Sequence, residues 1–293
     1  MVWYSRWIRY EIIMIFPFTS RKKQGASGIW QFDLGSLSYD SKSFSVASQN
    51  TYPYSVFMND TASKMYVLGY TSDTVYQYSL STAGDVSTAS YDSVSMFVGN
   101  QDGQPMDIFF IPDGTKMYMI GLSGKFINQY NLSTAWDLST ASYASKRYLL
   151  SSYIGSGIGG GSFSDDGLRL LYFSDDGYVR GFDLSIAYDV STATYVSGYS
   201  FQYVGQFANK SYTRSSMMFS NNGDKMFLAS YFNQIIYQYS LSTPYDPSSA
   251  TYDSVSVDLT TEVTDMRGWT VSQDGLKLYA ISRVGSTIYQ YSL

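Results

Sequence analysis

The carboxylates of this chain fall into two groups with different chemical prospects. Asp85, Asp137, Asp189 and Asp246 recur inside a Ser-Thr-Ala-x-Asp-x-Ser-Thr-Ala-like segment. An aspartate there could ligate Ca²⁺, but each segment offers one carboxylate and calcium takes about six to eight oxygens. The same side chain can accept from backbone N–H groups two residues on, which makes a tight turn. A structural turn is therefore expected at all four. The second group lies outside the recurrent segments: Asp107, Asp265, Glu11 and Glu262. Asp107 and Asp265 start or precede a candidate strand. If those strands line a channel, the two carboxylates face it, either as polar lining or as an acid/base pair of the glycosidase kind.

Two large aromatics break the pattern around them. Trp136 stands where other copies carry Gly84, Tyr188 and Tyr245, and Trp269 enters the last inner strand. Such rings can stack on sugars. Trp136, Trp269, Asp107 and Asp265 are the candidate ligand-binding residues. Asp165-Asp166-Gly167 and Asp175-Asp176-Gly177 are the richest acidic pairs, and hairpin chemistry accounts for them. Gly157, Gly159, Gly160 and Gly161 lack the lysine and following helix of a phosphate loop. They read as a flexible lead-in to the third full repeat.

Other chemistry is excluded by composition. The 293 residues include no His and no Cys. Imidazole triads, thiolate nucleophiles, His- or Cys-bound metals and disulfides cannot be built. No metal site and no cofactor is expected. The net charge of −5 gives no basic footprint for nucleic acid. No run approaches 18 apolar residues, so no helical membrane span is expected.

The elements that must position these residues are repeated. Asp-Gly-x-Lys-Met-Tyr is followed by Tyr-Gln-Tyr-x-Leu-Ser-Thr-Ala, and the leucine recurs at Leu34, Leu80, Leu132, Leu184, Leu241 and Leu293. The period, roughly 50 residues, is that of a repeat architecture. One copy reads as four short strands: Met106–Ile111, Lys116–Leu122, Phe126–Leu132 and Ser142–Leu150, joined at Pro112-Asp113-Gly114 and Ser123-Gly124. Tyrosine, at 30 copies, takes much of the aliphatic share, and only 15% of residues are charged. That balance favours strands and turns over helices. Four strands per unit make an all-β propeller of four-stranded antiparallel blades.

Counting third strands favours six blades. The first of them is Ile29-Trp30-Gln31-Phe32, ending at Leu34. Five blades is the alternative, reached by merging the incomplete first and last copies. Residues 1–28 stand apart from the repeats at 29–293. The last copy stops at Leu293 without a fourth strand, leaving an open edge. Val2 to Phe18, rich in Trp, Tyr, Ile and Phe, is the expected closing strand, within the chain or as a contact between subunits.

The motif Asp-Gly-x-Lys-Met-Tyr with Tyr-Gln-Tyr-x-Leu-Ser-Thr-Ala-x-Asp-x-Ser-Thr-Ala resembles the propeller repeats of uncharacterised proteins from marine bacteria and their phages. It is more distantly similar to the Tyr-Val-Thr-Asn and NHL propeller classes. The resemblance covers roughly residues 29–293. It implies a virion role (phage tail or capsid-associated) or an extracellular, cell-surface one, with a glycan or surface receptor as partner. The expected function is a non-enzymatic binding or structural module. The alternative is a carbohydrate-active hydrolase or lyase using channel carboxylates.

Overall fold

A computed structural model of the chain describes residues 32–151, 157–203 and 216–293. The expected strand Val2 to Phe18, and with it the separate segment 1–28, lies outside the described residues. The described residues form five four-stranded antiparallel sheets in a ring, a five-bladed β-propeller. The N-terminal strand β1 (Ser38–Ser45) belongs to the last blade. Blade one is β2 (Pro53–Met58), β3 (Lys64–Gly69), β4 (Thr74–Leu80) and β5 (Ala89–Phe97). Blade two is β6 (Pro105–Phe110), β7 (Lys116–Gly121), β8 (Phe126–Leu132) and β9 (Ala141–Leu149). Blade three is β10 (Ile158–Phe163), β11 (Arg169–Ser174), β12 (Tyr178–Leu184) and β13 (Ala193–Gln202). Blade four is β14 (Met217–Phe219), β15 (Lys225–Ser230), β16 (Ile235–Leu241) and β17 (Ala250–Asp258). Blade five is β18 (Met266–Val271), β19 (Lys277–Ser282), β20 (Thr287–Ser292) and β1. No helix among the described residues is long and apolar enough to cross a membrane.

Six blades is thus corrected to five, and the reason is local. Leu34 does not end a third strand. It follows Asp33, whose side chain accepts from the Gly35 N–H and caps a 3-10 turn at Leu34–Ser36. Leu34 therefore corresponds to Val86, Leu138, Val190 and Pro247, the buried residues after the capping aspartates. Phe32 corresponds to the loop residue before the cap. Leu34 therefore marks no third strand, and the stretch Ile29 to Gln31 lies outside the described residues. The fourth strand of that first copy, β1, pairs antiparallel with β20, with Tyr39 opposite Tyr291 and Phe44 opposite Ile288. The edge left after Leu293 is occupied by β1.

The capping turns also clasp the blades together. Asp85, Asp137, Asp189 and Asp246 each accept from the N–H of a serine two residues on. In blade one the strand-three glutamine Gln77 reaches across the blade boundary, and its Oε1 accepts from the Leu138 N–H at 2.8 Å. Gln129 does the same for Val190, and Gln290 for Val86. In blade three the glutamine is replaced by Gly181. The corresponding residue of blade four is Pro247, which has no N–H to satisfy. Lys42 and Lys146 add ion pairs to Asp85 and Asp189, at 2.6 and 2.5 Å.

Between these clasps lie apolar layers, each shared by two neighbouring blades. Tyr66, Leu68 and Val75 of blade one pack on Met117, Met119 and Tyr130 of blade two. Two strand-two tyrosine hydroxyls escape burial without a partner by bonding to the next blade. Tyr66 donates to the Trp136 carbonyl and Tyr118 to that of Tyr188, both at 2.6 Å.

Candidate functional site

The first strands of the blades, β2, β6, β10, β14 and β18, line the axis of the ring. Their residues differ at equivalent levels, because five strands converge on one space. At the middle level stand Ser55, Asp107, Gly160, Ser216 and Gly268. A Cβ on Gly160 would lie 2.9 Å from Asp107 Oδ2 and 2.8 Å from the Ser216 Cα, and one on Gly268 would lie 2.8 Å from the Ser55 Cα. The glycines let their neighbours approach, the Asp107 carboxylate and Ser216 at Gly160 and the Ser55 backbone at Gly268. The glycine cluster is thus axial packing, in place of the flexible lead-in expected from its composition.

Asp107 is 5% exposed. Its carboxylate accepts from the hydroxyls of Ser55 at 2.6 Å and Ser216 at 3.3 Å, and from the Gly161 N–H at 3.3 Å. Burial pushes its pKa up to about 6, against the opposing pull of those donors. Trp269, 1% exposed, donates its indole N–H to the Ser216 carbonyl at 2.8 Å. Asp107 and Trp269 therefore converge on Ser216 at the axis, one through its hydroxyl and the other through its carbonyl.

Beyond this layer the channel opens into a cavity of about 170 Å³ at the end where the Asp-Gly hairpins lie. Its wall is aromatic, with Phe57, Phe109 and Phe163 from three successive blades. Phe163 lies 5.7 Å from Phe109, tilted, and 5.4 Å from Tyr188, edge to face. Its rim is polar, with Ser162, Asp165, Asn221 and Tyr245. Burial raises the pKa of Asp165, opposed by a hydrogen bond with Tyr245 and reinforced by the charge of Asp166. An apolar ring surface beside convergent hydroxyl, amide and carboxyl groups is the combination that holds a small polar molecule with apolar faces.

Asp265 does not join this cavity. It precedes β18, at the opposite end of the axis, and pairs with Arg267 at 2.8 Å and Arg283 at 2.5 Å. Asp107 and Asp265, both expected to face the channel, lie at different levels of it, Asp107 in the filled middle level and Asp265 beyond it against its two arginines. Trp136 is also placed elsewhere. It lies at the rim between blades one and two, stacked on Phe57 at 6.3 Å and covering the hairpin glycine Gly114. The capping aspartates Asp85, Asp137, Asp189 and Asp246 lie at that rim too, away from the cavity. Among the described residues no three Asp or Glu side chains group closely enough to hold a metal ion.

Sequence alone assigns Asp165 to hairpin chemistry and does not single out the phenylalanine wall, Arg267 or Arg283. For Arg267 a signal was present: it is a charged residue inside the otherwise uncharged strand Met266–Val271, where burial demands a partner. For the phenylalanines there was none, since an inner-strand aromatic reads equally as core.

No family model matches the chain, and no curated protein matches it. Solved structures are similar to it. One is a protein of unknown function from Desulfotomaculum acetoxidans DSM 771, at 15% identity and a TM-score of 0.45, covering 78% of this chain and 62% of the other. Another, from Bacteroides uniformis ATCC 8492 and provisionally described as a 6-phosphogluconolactonase, has 15% identity and a TM-score of 0.47, covering 78% and 63%. A protein of Bacteroides fragilis NCTC 9343 with the same provisional description has 14% identity and a TM-score of 0.44, covering 70% and 55%. The chain thus spans less than two thirds of the length of each.

Proposed function

We propose that the chain is a non-enzymatic β-propeller binding module that takes a glycan in the axial cup, as a component of a virion or of a cell surface. The observation that carries this reading is the cup itself. Phe57, Phe109 and Phe163 offer ring faces for the C–H faces of a sugar, while Asp165, Asn221 and Tyr245 stand at the rim to meet its hydroxyls. The buried carboxylate of Asp107 supports binding over catalysis, because Ser55, Ser216 and Gly161 already engage it. The repeat motif, with its likeness to propellers of marine bacteria and their phages, supports the virion or cell-surface setting.

One observation favours the second reading, a carbohydrate-active hydrolase or lyase. Asp107, with its pKa near 6, and Asp165, also raised, line the same cavity, and an acid of that kind can protonate a leaving group. A glycan array scored for both retention and cleavage separates the two. The binding module retains a glycan intact, and Phe109→Ala loses it. Released reducing ends that vanish with Asp165→Asn establish the enzyme instead. Retention unaffected by Phe109→Ala removes the cup from either reading.

A further inference from the structure

The opposite end of the axis is built differently, and nothing in the binding reading above uses it. Arg267 and Arg283 share a single carboxylate, Asp265. Arg267 is almost wholly buried, with 8% of its side chain exposed. Its guanidinium lies 4.9 Å from the Tyr54 ring centre and 4.6 Å from that of Tyr231, and its Nη1 donates to the Tyr54 hydroxyl at 3.0 Å. Arg283 keeps 31% of its side chain exposed. It lies 4.6 Å from the Tyr52 ring centre and donates to the Tyr52 hydroxyl. Burial pulls the Arg283 pKa down, but the hydrogen bond and charge of Asp265 hold it above its usual value. The tyrosines are ordered as well. Tyr52 and Tyr54 stack at 5.9 Å and 14°, and Tyr54 and Tyr70 at 4.7 Å and 25°.

We propose that Arg267, Arg283 and the Tyr52–Tyr54–Tyr70 stack form a second binding site, for the carboxylate of an acidic sugar. The site follows from a charge count and a shape. Among the described residues the two guanidinium groups share one ion-pair partner, Asp265, which leaves an excess of positive charge in a half-buried setting, where an anion is bound more strongly than in open water. Arg283 uses Nε and Nη1 on Asp265 and Tyr52, and no described group accepts from its Nη2. A planar fork with free N–H groups suits a planar carboxylate. The partly exposed rings of Tyr52 and Tyr70, held by the buried Tyr54, supply a flat apolar face for a pyranose ring. A clasp between blades five and one would explain the tyrosine contacts. It would not explain why both arginines turn to the one carboxylate of Asp265. The filled level at Asp107 separates this site from the cup, so the two can be occupied independently.

The test is titration calorimetry of the full chain with trigalacturonate and with neutral galactotriose, at low salt and at about 0.5 M salt, where the Debye length falls to a few ångström. Trigalacturonate is expected to bind at least about tenfold more tightly than the neutral sugar, the ratio for one charge-assisted bond. That preference is expected to shrink in high salt and to fall about tenfold in Arg283→Gln. Equal affinity for the two sugars, or a preference indifferent to salt, overturns the proposal on the wild-type protein alone, whether or not the variant folds. A folded Arg283→Gln with wild-type preference also overturns it. Neutral-sugar binding that fails while the salt-sensitive uronate binding persists sinks the cup and leaves this site standing.

Discussion

The rim of the propeller and its axis follow opposite rules. At the rim, each loop between strands three and four is the same device, and departures come in compensating pairs. In blade two the hairpin turns at Gly114, with φ of +71°, and Trp136 lies over it. In blade one the hairpin position is Ala62, and the residue that would cover it is Gly84. The backbone contact is the same in both: the Trp136 N–H bonds to the Gly114 carbonyl and the Gly84 N–H to that of Ala62. Side-chain volume has moved from one partner to the other. At the axis nothing is compensated pairwise. Ser55, Asp107, Gly160, Ser216 and Gly268 are five different answers at one level. Each rim loop has a neighbour of its own, so one solution can be used around the ring. The axis is a single volume, and close packing allows it to be filled only once.

The largest expected effect breaks a rim pair. A Cβ on Gly114 would fall 2.3 Å from the Trp136 ring, at a positive φ that already disfavours alanine. Gly114→Ala should cost roughly 4 kcal/mol, combining overpacking with backbone strain. Trp136→Gly in the same chain should restore part of it, as the natural Ala62 and Gly84 pair implies. Urea denaturation of the two single variants and the double variant measures the coupling. Purely additive losses would show that the two positions do not share one volume.

The next effect tests the axis. Asp107 has a folded pKa of about 6, above its ordinary value near 4. The folded state therefore holds this proton more tightly than the unfolded state. The associated stability is complete below about pH 4, and it is lost as pH rises towards about 6. At neutral pH the loss amounts to at most about 3 kcal/mol. Asp85, Asp92, Asp189 and Asp253 act in the reverse sense. Their pKa values are lowered, with Lys42 the main cause at Asp85, and with burial at the other three outweighed by hydrogen bonds and nearby lysines. Their contribution is present at neutral pH and is lost as pH falls below the usual carboxylate range. Asp107→Asn should thus raise the neutral-pH melting point and flatten the stability profile between pH about 4 and about 6. An unchanged slope there would mean that the axial carboxylate is not what titrates.

The smallest effect sharpens the rim rule. Gln77→Ala leaves the buried Leu138 N–H without its acceptor and removes the bond to Asp92, and should cost about 1–2 kcal/mol. Calorimetric melting of this variant beside Gln129→Ala, which frees the Val190 N–H, tests whether the clasp is uniform around the ring. A loss in one variant and none in the other would confine it to single blades.

Much of this was written in the chain. The strand β8 was read at Phe126–Leu132, its observed bounds, because the turns Ser123-Gly124 and Ser133-Thr134 punctuate it on either side. The absence of His and Cys settled which reactions and ligands are unavailable, since that follows from composition in any fold. Turn chemistry, strand period and repeat length are local properties, and a sequence states them directly. The number of blades was not local. It depended on whether Leu34 ended a strand or followed a cap, and the pairing of β1 with β20, about 250 residues apart, decided that. The site was less legible still. Asp107 and Trp269 converge on Ser216, while Asp265 and Trp136 do not join them, because five strands from distant parts of the chain share one axis. Which side chain fills that axis, and which carboxylate is left with two arginines, is set by a packing problem that only the closed ring poses.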